Sequence, residues 1–285
     1  MKVPWPKGPT GWIDAGTLYV SIPFTWNLPD VRTDLLAGSF FWDKAVVGGP
    51  AVRLMPDYLG DLPSLSSRFT IGGDMPGVLQ RVNPQATRTT VGCPNRCDFC
   101  GVSRIEPEFR ELADWPDLPI IADNNLLAAS MAHFERVIER LVRHAWADFN
   151  QGLDPRLLTP EHARLLAEIR DPMIRLALDD MQDAPVWEQA FDFLRDAGIP
   201  KRNIRSYCLV GFRDTPKEAW ARCRWVESHG VKPLPMWYHR MVDLKHNTVN
   251  DYQAALGWTD AERRRLMGWF YQHRTPDRGR KAESP

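Results

Sequence analysis

The 285-residue sequence lacks the features that mark membrane proteins and exported proteins. It contains no run of about 18 apolar residues, so it predicts no membrane-spanning helix. Its opening segment, MKVPWPKGPTGW, has no apolar core of the signal-peptide type because Pro and Gly interrupt it. We therefore expect a cytoplasmic protein with no membrane partner.

An excess of charge of either sign is also absent. The 36 Lys and Arg residues balance the 36 Asp and Glu residues. This balance does not support broad electrostatic capture of nucleic acid, although a local basic patch would still allow a contact. Hydrophobic residues make up 44% of the chain and charged residues 25%, which is ordinary for a folded protein and unlike a disordered one.

The composition divides the chain into three parts. Residues 1–85 are rich in Pro, Gly and Trp, with predicted strands at residues 17–22 and 44–47 and loops elsewhere. We expect a small α/β lobe there, similar to a reduced Rossmann-like domain. Residues 86–245 alternate short apolar runs with amphipathic helices. Residues 246–285 predict a last helix and a basic tail that is solvated.

The middle part has a repeated organisation. Its helices carry clear start signals, with Thr159 and Thr215 as N-caps that are each followed by Pro. Strand–helix units that repeat about every 30 residues predict a parallel sheet. Six such units predict an α/β fold with a partial (β/α)6 TIM-like barrel. The predicted strands end in polar residues near Cys93, Asp123, Asn150, Asp179, Gly211 and Tyr238.

Three of the five cysteines form one motif, Cys93-x3-Cys97-x2-Cys100, just after the first of these strands. An odd number of cysteines does not suit a secreted disulfide framework. Three thiolates on one loop can hold three irons of a cubane cluster and leave the fourth iron open to a chelating substrate. A zinc site is the alternative, but the usual second pair of ligands is missing, since Cys208 falls in a predicted strand and Cys223 on a predicted helix.

The motif Cys-x3-Cys-x-Phe-Cys on a chain of βα units resembles the radical S-adenosylmethionine (SAM) superfamily over residues 86–238. The resemblance implies that Cys93, Cys97 and Cys100 bind a 4Fe–4S cluster whose open iron is chelated by SAM. It implies reductive cleavage of SAM to a 5′-deoxyadenosyl radical, which abstracts hydrogen from a substrate that the sequence does not identify. Phe99 would lie against adenine. A one-electron reductant such as flavodoxin or ferredoxin is the implied partner.

Other strand ends supply candidate residues for binding SAM, again by this resemblance. Asp123, Asn124 and Asn125 stand where the family often carries a Gly-Gly-Glu-like motif that holds the SAM ammonium group. These residue types also cap helices, and both roles are expected here. Gln151 and Arg156 follow the next strand. Arg156 is expected either to pair with the SAM carboxylate or to lie in a turn.

The last three predicted strands end in further candidates. Asp179 is expected to hydrogen-bond the ribose hydroxyls, with a helix cap as the alternative. Gly211 would let the backbone approach adenine, or it serves a turn. Tyr238 and His239 are candidate catalytic residues that would reach the substrate and donate or relay a proton. The alternative for His239 is a hydrogen-bonded surface residue.

The amino-terminal lobe bears on the choice of cofactor. Residues 45–50 are similar to a strand and loop of the cobalamin-binding lobe found in some radical SAM enzymes. A complete doubly wound domain needs about 100 residues, and an Asp-x-His-x-x-Gly motif is absent, so cobalamin is not expected. Two other functions stay open. One is a SAM-dependent methyltransferase, direct or cobalamin-linked; the other is a non-enzymatic metal-binding module that contacts nucleic acid through the tail at 274–281.

Overall fold

The computed structural model describes residues 3–38, 42–73, 75 and 77–272, and it has the α/β class predicted from the sequence. The buried apolar side chains form two clusters, one within residues 20–69 and the other within residues 115–270. Among the described residues, no helix is long and apolar enough to cross a membrane. The basic tail at 274–281 lies outside the described residues.

The amino-terminal lobe is built around a four-stranded sheet. Its elements are β1 (Thr10–Asp14), β2 (Thr17–Ser21), α1 (Leu28–Ala37), β3 (Lys44–Gly48), α2 (Pro50–Leu54), α3 (Leu62–Leu65), β4 (Phe69–Ile71) and α4 (Val78–Val82). The strands lie in the order β1-β2-β3-β4. β1 pairs with β2 in antiparallel orientation, while β2, β3 and β4 run parallel.

Both predicted strands of the lobe are confirmed, as β2 and β3. The prediction of loop around residue 30 is wrong, because α1 occupies that stretch. Pro29 lies in the first turn of α1, where proline is tolerated because the first helical N–H groups have no partner within the helix. A loop was also predicted at 72–77; residues 74 and 76 of it lie outside the described part of the chain.

A second, six-stranded sheet dominates the rest of the chain. Its segment contains β5 (Ala86–Thr87), β6 (Thr90–Val91), α5 (Val102–Ile105), β7 (Arg110–Glu111), β8 (Ile120–Ile121), α6 (Met131–Leu141), β9 (Ala147–Phe149), α7 (Pro160–Leu166), β10 (Pro172–Ala177), α8 (Ala184–Asp196), β11 (Ile204–Val210), α9 (Pro216–Ser228), β12 (Lys232–Trp237), α10 (Asp251–Ala255) and α11 (Asp260–Gln272). The strand order is β12-β11-β10-β9-β8-β5. Every neighbouring pair is parallel, which confirms the predicted parallel sheet.

The two faces of this sheet differ because side chains alternate along each strand. On one face, Ile204, Ser206 and Cys208 of β11 are buried, and Trp187 of α8 donates a 3.0 Å hydrogen bond to the Ser206 hydroxyl. We call the opposite face the cavity face. Along β10, β11 and β12 it carries Arg175, Ala177, Arg205, Tyr207, Leu209, Lys232, Leu234 and Met236.

The predicted helix starts are confirmed at both threonines. Thr159 and Thr215 each accept a hydrogen bond from the N–H group three residues on, and each belongs to a capping box. The third residue after Thr159 is His162, whose ring replaces the usual Glu. Gly198 and Gly230 follow α8 and α9 in the left-handed region, where glycine commonly ends a helix.

The amino-terminal lobe contacts segments that follow β12 and β5, the two edge strands of the six-stranded sheet. Thr25 donates a 2.7 Å hydrogen bond to the carbonyl of Asp243, in the loop after β12. Arg53 donates a 3.1 Å hydrogen bond to the carbonyl of Ile105, in the helix after the cysteine motif. The lobe therefore contacts both the loop after β12 and helix α5, which follows the cysteine motif.

Candidate functional site

A cavity of about 650 Å³ lies at the carboxyl ends of the parallel strands. Cys93, Cys97 and Cys100 all line it, so the structure brings the three predicted metal ligands to one place. Most of the residues predicted to bind SAM line the same cavity: Phe99, Asn124, Asn125, Gln151, Arg156 and Asp179. Four other predicted site residues lie outside its lining, namely Asp123, Gly211, Tyr238 and His239.

The cysteine loop begins at a glycine that the backbone requires. Gly92 has a φ of +77°, and a Cβ atom there would collide with the carbonyl oxygen of Glu108. The Gly92 N–H donates a 3.1 Å hydrogen bond to the Glu106 carboxylate. Further along, the Cys100 N–H donates to the Cys97 carbonyl at 3.0 Å. This turn keeps the last two thiols of the motif close along the loop.

The three thiols are free and partly shielded from water. Burial raises the pKa of Cys97 and Cys100 above the ordinary thiol value. For Cys97 the charge of Arg156 and a hydrogen bond from its side chain oppose that rise. Asn125 Nδ2 lies 3.6 Å from Cys93 Sγ, as a donor to the sulfur. Asn125 and Arg156 therefore place hydrogen-bond donors at two of the three sulfur atoms.

The donor set decides which kind of metal group the loop suits. In the described residues, no group of three or more His, Cys, Asp or Glu side chains is arranged to hold a metal ion. One zinc ion needs its ligands to converge on a point. Thiolates that bind different irons of a cluster stand at separate corners of the cluster. Three sulfur ligands on one cavity wall are of the donor type that an iron–sulfur cluster requires.

Two asparagines after β8 face the cavity with different amounts of free hydrogen-bonding capacity. Asn124 donates a 2.8 Å hydrogen bond to Glu106, which links it to the cysteine loop. The Oδ1 atom of Asn125 is buried and has no hydrogen-bond partner. A buried acceptor without a partner is costly unless a ligand satisfies it. Asn125 is therefore the available acceptor in this part of the cavity.

Asp123 supports the strand that leads into the cysteine loop. Its carboxylate accepts hydrogen bonds from the N–H groups of Thr89 at 2.6 Å and Thr90 at 3.0 Å, and from the Thr89 hydroxyl at 2.5 Å. His133 of α6 lies 3.2 Å from the same hydroxyl. Burial raises the pKa of Asp123, and these hydrogen bonds oppose the rise. Of the three predicted acceptors, only Asn124 and Asn125 reach the cavity wall.

Arg156 is held by a neighbouring carboxylate that sequence reasoning did not select. Asp154 accepts 2.8 Å hydrogen bonds from Arg156 Nε and Nη2, and a third from Asn95 Nδ2 in the cysteine loop, also at 2.8 Å. Burial raises the pKa of Asp154, but the hydrogen bonds and charge of Arg156 outweigh it and leave that pKa below its usual value. The Asp154-Pro155 pair predicted only a turn from the sequence.

The two carboxylates after β10 have separate roles. Asp180 accepts a 2.9 Å hydrogen bond from the Gln182 N–H and so provides the helix cap. Both Asp179 and Asp180 line the cavity, but Asp179 does not provide this cap. Burial raises the pKa of Asp179 to about 6, while a backbone hydrogen bond from Leu209 and the charge of Arg222 oppose the rise. This arrangement leaves Asp179 as an acceptor that faces the cavity.

Gly211 forms a tight turn after β11. It has a φ of +81°, and a Cβ atom would lie 2.6 Å from the Trp237 ring. Its N–H donates a 2.7 Å hydrogen bond to Asp214. The next residue, Phe212, lines the cavity and contacts the Phe99 ring edge-on, with centroids 5.5 Å apart. The glycine thus positions an aromatic side chain that the sequence had not indicated.

Neither of the two predicted catalytic residues lines the cavity. Tyr238 contacts the Phe212 ring edge-on, with centroids 4.8 Å apart. His239 contacts Trp26 of the amino-terminal lobe and His246, at centroid distances of 4.4 and 5.2 Å. Burial and the proximity of His246 lower the pKa of His239 to about 4. His239 is thus a neutral side chain at the contact between the lobe and the loop after β12.

Neither a scan against protein-family models nor a search of the curated proteins found a match for this chain. The spacing of the cysteines and the residues around the cavity therefore carry the functional assignment.

Proposed function

We propose that the protein is a radical SAM enzyme that holds one 4Fe–4S cluster and abstracts hydrogen from a substrate. One observation carries the proposal: the three thiols of the Cys-x3-Cys-x2-Cys motif line a single cavity at the carboxyl ends of parallel strands. That edge is where α/β proteins place their active sites. We also propose that residues 86–245 form a partial (β/α)6 barrel, which six parallel strands with interleaved helices support.

Cys93, Cys97 and Cys100 would hold the cluster through their thiolates. When bound, the cluster would supply the electron that cleaves SAM to a 5′-deoxyadenosyl radical, after reduction by a protein such as flavodoxin or ferredoxin. The cavity residues would bind SAM itself. The buried, unpartnered Oδ1 of Asn125 would accept a hydrogen bond from the SAM ammonium group.

Arg156 would bind the SAM carboxylate. A guanidinium group has five N–H donors in a planar fork, and Asp154 accepts from the Nε and Nη2 atoms. Donors on the other edge of the group therefore stay available beside Cys97. Because Asp154 fixes the orientation of the guanidinium, a carboxylate would meet it with little loss of side-chain entropy.

Asp179 and the two phenylalanines would bind the nucleoside part of SAM. The Asp179 carboxylate would accept hydrogen bonds from the ribose hydroxyls. Phe99 and Phe212 provide an apolar wall for adenine. Apolar side chains on this wall also keep water away from the reacting atoms, as a reactive radical requires.

Anaerobic reconstitution tests the proposal. The purified protein is loaded with iron and sulfide, reduced in the presence of SAM, and the nucleoside products are separated. We expect about four irons per chain and formation of 5′-deoxyadenosine. S-adenosylhomocysteine as the product would identify a methyltransferase, and one equivalent of zinc without iron or sulfide would identify a metal-binding module. Either result would overturn the proposal.

A further inference from the structure

A row of cations crosses three neighbouring strands on the cavity face. Arg175 of β10 is in register with Arg205 of β11, and Arg205 is in register with Lys232 of β12. All three side chains are half-buried. Neighbouring strands lie about 4.8 Å apart, so three positive side chains start close together on one side of the sheet.

An acid partner neutralises one member of the row. Asp148 of β9 forms an ion pair with Arg175. Arg205 donates hydrogen bonds to backbone carbonyl oxygens at 2.8 and 2.9 Å. Across the part of the chain that the structure describes, neither Arg205 nor Lys232 forms an ion pair with a carboxylate. Burial, and then the like charge of Arg175, lower the pKa of Arg205. Within the described ranges, no carboxylate therefore compensates these two positive charges.

Apolar side chains and Tyr207 lie between these cations and the carboxyl ends of the strands. Leu234 and Met236 follow Lys232 on the cavity face of β12, and 46% of Met236 is exposed. Leu209 lies in register with Met236 and lines the cavity. Arg205 precedes Leu209 by four residues on one strand, which spans about 13 Å at the usual rise per residue. A ligand that reached from the cavity to the cations would be elongated.

We propose that Arg205 and Lys232 bind the phosphate end of an elongated, apolar-bodied ligand whose other end lies in the cavity. A phosphate monoester carries a charge of about −1.5 to −2 at neutral pH, which matches the charge of these two cations. The guanidinium fork suits two phosphate oxygens at once. A row that only supported the fold would be expected to have acid partners, because neighbouring like charges repel.

Titration calorimetry with inorganic pyrophosphate tests the cation site on the full-length chain. We expect saturable binding to the wild-type protein and an affinity lower by at least about tenfold in the double variant Arg205→Gln, Lys232→Gln, since each charge-assisted hydrogen bond contributes measurably. The matched control is Lys217→Gln with Arg264→Gln, which removes two exposed cations from α9 and α11. Absence of saturable binding, or equal losses in both double variants, would overturn the proposal.

Thermal unfolding without ligand separates binding from folding. Because Arg205 also donates hydrogen bonds to two backbone carbonyls, this test uses the single variant Lys232→Gln, whose midpoint should equal that of the wild type or exceed it. A lower midpoint would show that the row stabilises the fold, and it would contradict the proposal.

Binding of decyl phosphate tests whether the apolar part of the ligand extends from the cations toward the cavity. The variant Met236→Glu introduces a negative charge among the apolar side chains that lie between the cations and the carboxyl ends of the strands. We expect it to weaken binding of decyl phosphate, measured below its micelle concentration, by about tenfold or more while pyrophosphate binds with nearly wild-type affinity. Equal effects on both probes would refute the path toward the cavity. All three measurements use protein without a cluster, so their failure would leave iron binding and SAM cleavage untouched.

Discussion

Asn95 Nδ2 donates a 2.8 Å hydrogen bond to Oδ2 of Asp154, which lies 59 positions further along the chain. The contact ties the cysteine loop to the loop after β9. Because the same carboxylate also holds Arg156, one side chain fixes both a neighbour of the thiols and the guanidinium that lies beside Cys97. The geometry of the cavity therefore depends on Asp154.

The substitution Asp154→Ala should disturb this arrangement without unfolding the protein. It leaves Asn95 and Arg156 without their acceptor, which should cost about 1–3 kcal/mol in the free energy of unfolding. Formation of 5′-deoxyadenosine should fall by about tenfold or more, since a misplaced binding group lowers the rate steeply. Product formation by reconstituted protein and chemical denaturation measure the two effects.

Glu161→Ala is the matched control for Asp154→Ala. It removes a carboxylate that pairs with the exposed Arg164 on α7, and exposed pairs contribute little. This control should keep product formation and stability close to wild type. If Asp154→Ala behaves like Glu161→Ala, Asp154 does not organise the cavity.

The substitution Gly92→Ala should destabilise the protein more than the substitution Gly198→Ala. Gly92 and Gly198 both have positive φ angles, +77° and +91°. A Cβ atom at Gly198 would meet no heavy atom within 4 Å, whereas at Gly92 it would collide with the Glu108 carbonyl. Gly198→Ala should cost about 1–2 kcal/mol for the backbone conformation alone.

Gly92→Ala should lower the free energy of unfolding by more than Gly198→Ala does. It should also lower the iron content after reconstitution, because the backbone next to Cys93 must shift. Denaturation curves and iron analysis of the two variants measure this. Equal destabilisation with full iron content in both would contradict the inferred role of Gly92.

The contact between the lobe and the loop after β12 should weaken in acid. The pKa of His239 is lowered to about 4 by burial and by His246, while that of an unfolded histidine is about 6.5. Between these values the unfolded chain binds the proton more readily, so stability falls as pH decreases from 6.5 to 4. Asp243 opposes this shift and Arg263 adds to it.

Thermal midpoints measured across that pH range for the wild type and for His239→Phe provide the test. The Phe ring keeps an aromatic contact with Trp26 and cannot be protonated. The wild type should lose stability relative to the variant as pH falls from 6.5 to 4. A constant difference across the range would contradict the account of this contact.

The sequence predicted well what depends on local patterns. The ends of five parallel strands and the caps at Thr159 and Thr215 follow from short-range periodicity and capping chemistry. These features needed no knowledge of which segments meet in space. The first parallel strand, predicted to end near Cys93, ends at Thr87 instead, and β6, just before the cysteines, pairs antiparallel with β7. Helix α1 was not predicted because proline usually indicates a loop. Pro29 lies in the first turn of the helix, where proline is tolerated, and the sequence alone does not show this.

The composition of the cavity was harder to predict. Asp123 and Asn125 are of similar type and lie two positions apart, yet Thr89 and Thr90 donate hydrogen bonds to Asp123, whereas the Oδ1 atom of Asn125 has no partner. Asp154 and Phe212 gain their places from contacts with the cysteine loop, far away in sequence. Such pairings depend on how strands are ordered in the sheet, which local patterns do not encode.

Electron paramagnetic resonance of the reduced, reconstituted protein tests the central claim most directly. The spectrum is recorded before and after addition of SAM, with Cys97→Ala and Cys208→Ala prepared in parallel. Wild type and Cys208→Ala should show the signal of a reduced 4Fe–4S cluster that changes when SAM binds the open iron, and Cys97→Ala should show no such signal. A cluster signal that SAM does not alter, or one that survives in Cys97→Ala, would contradict the assignment of this cavity.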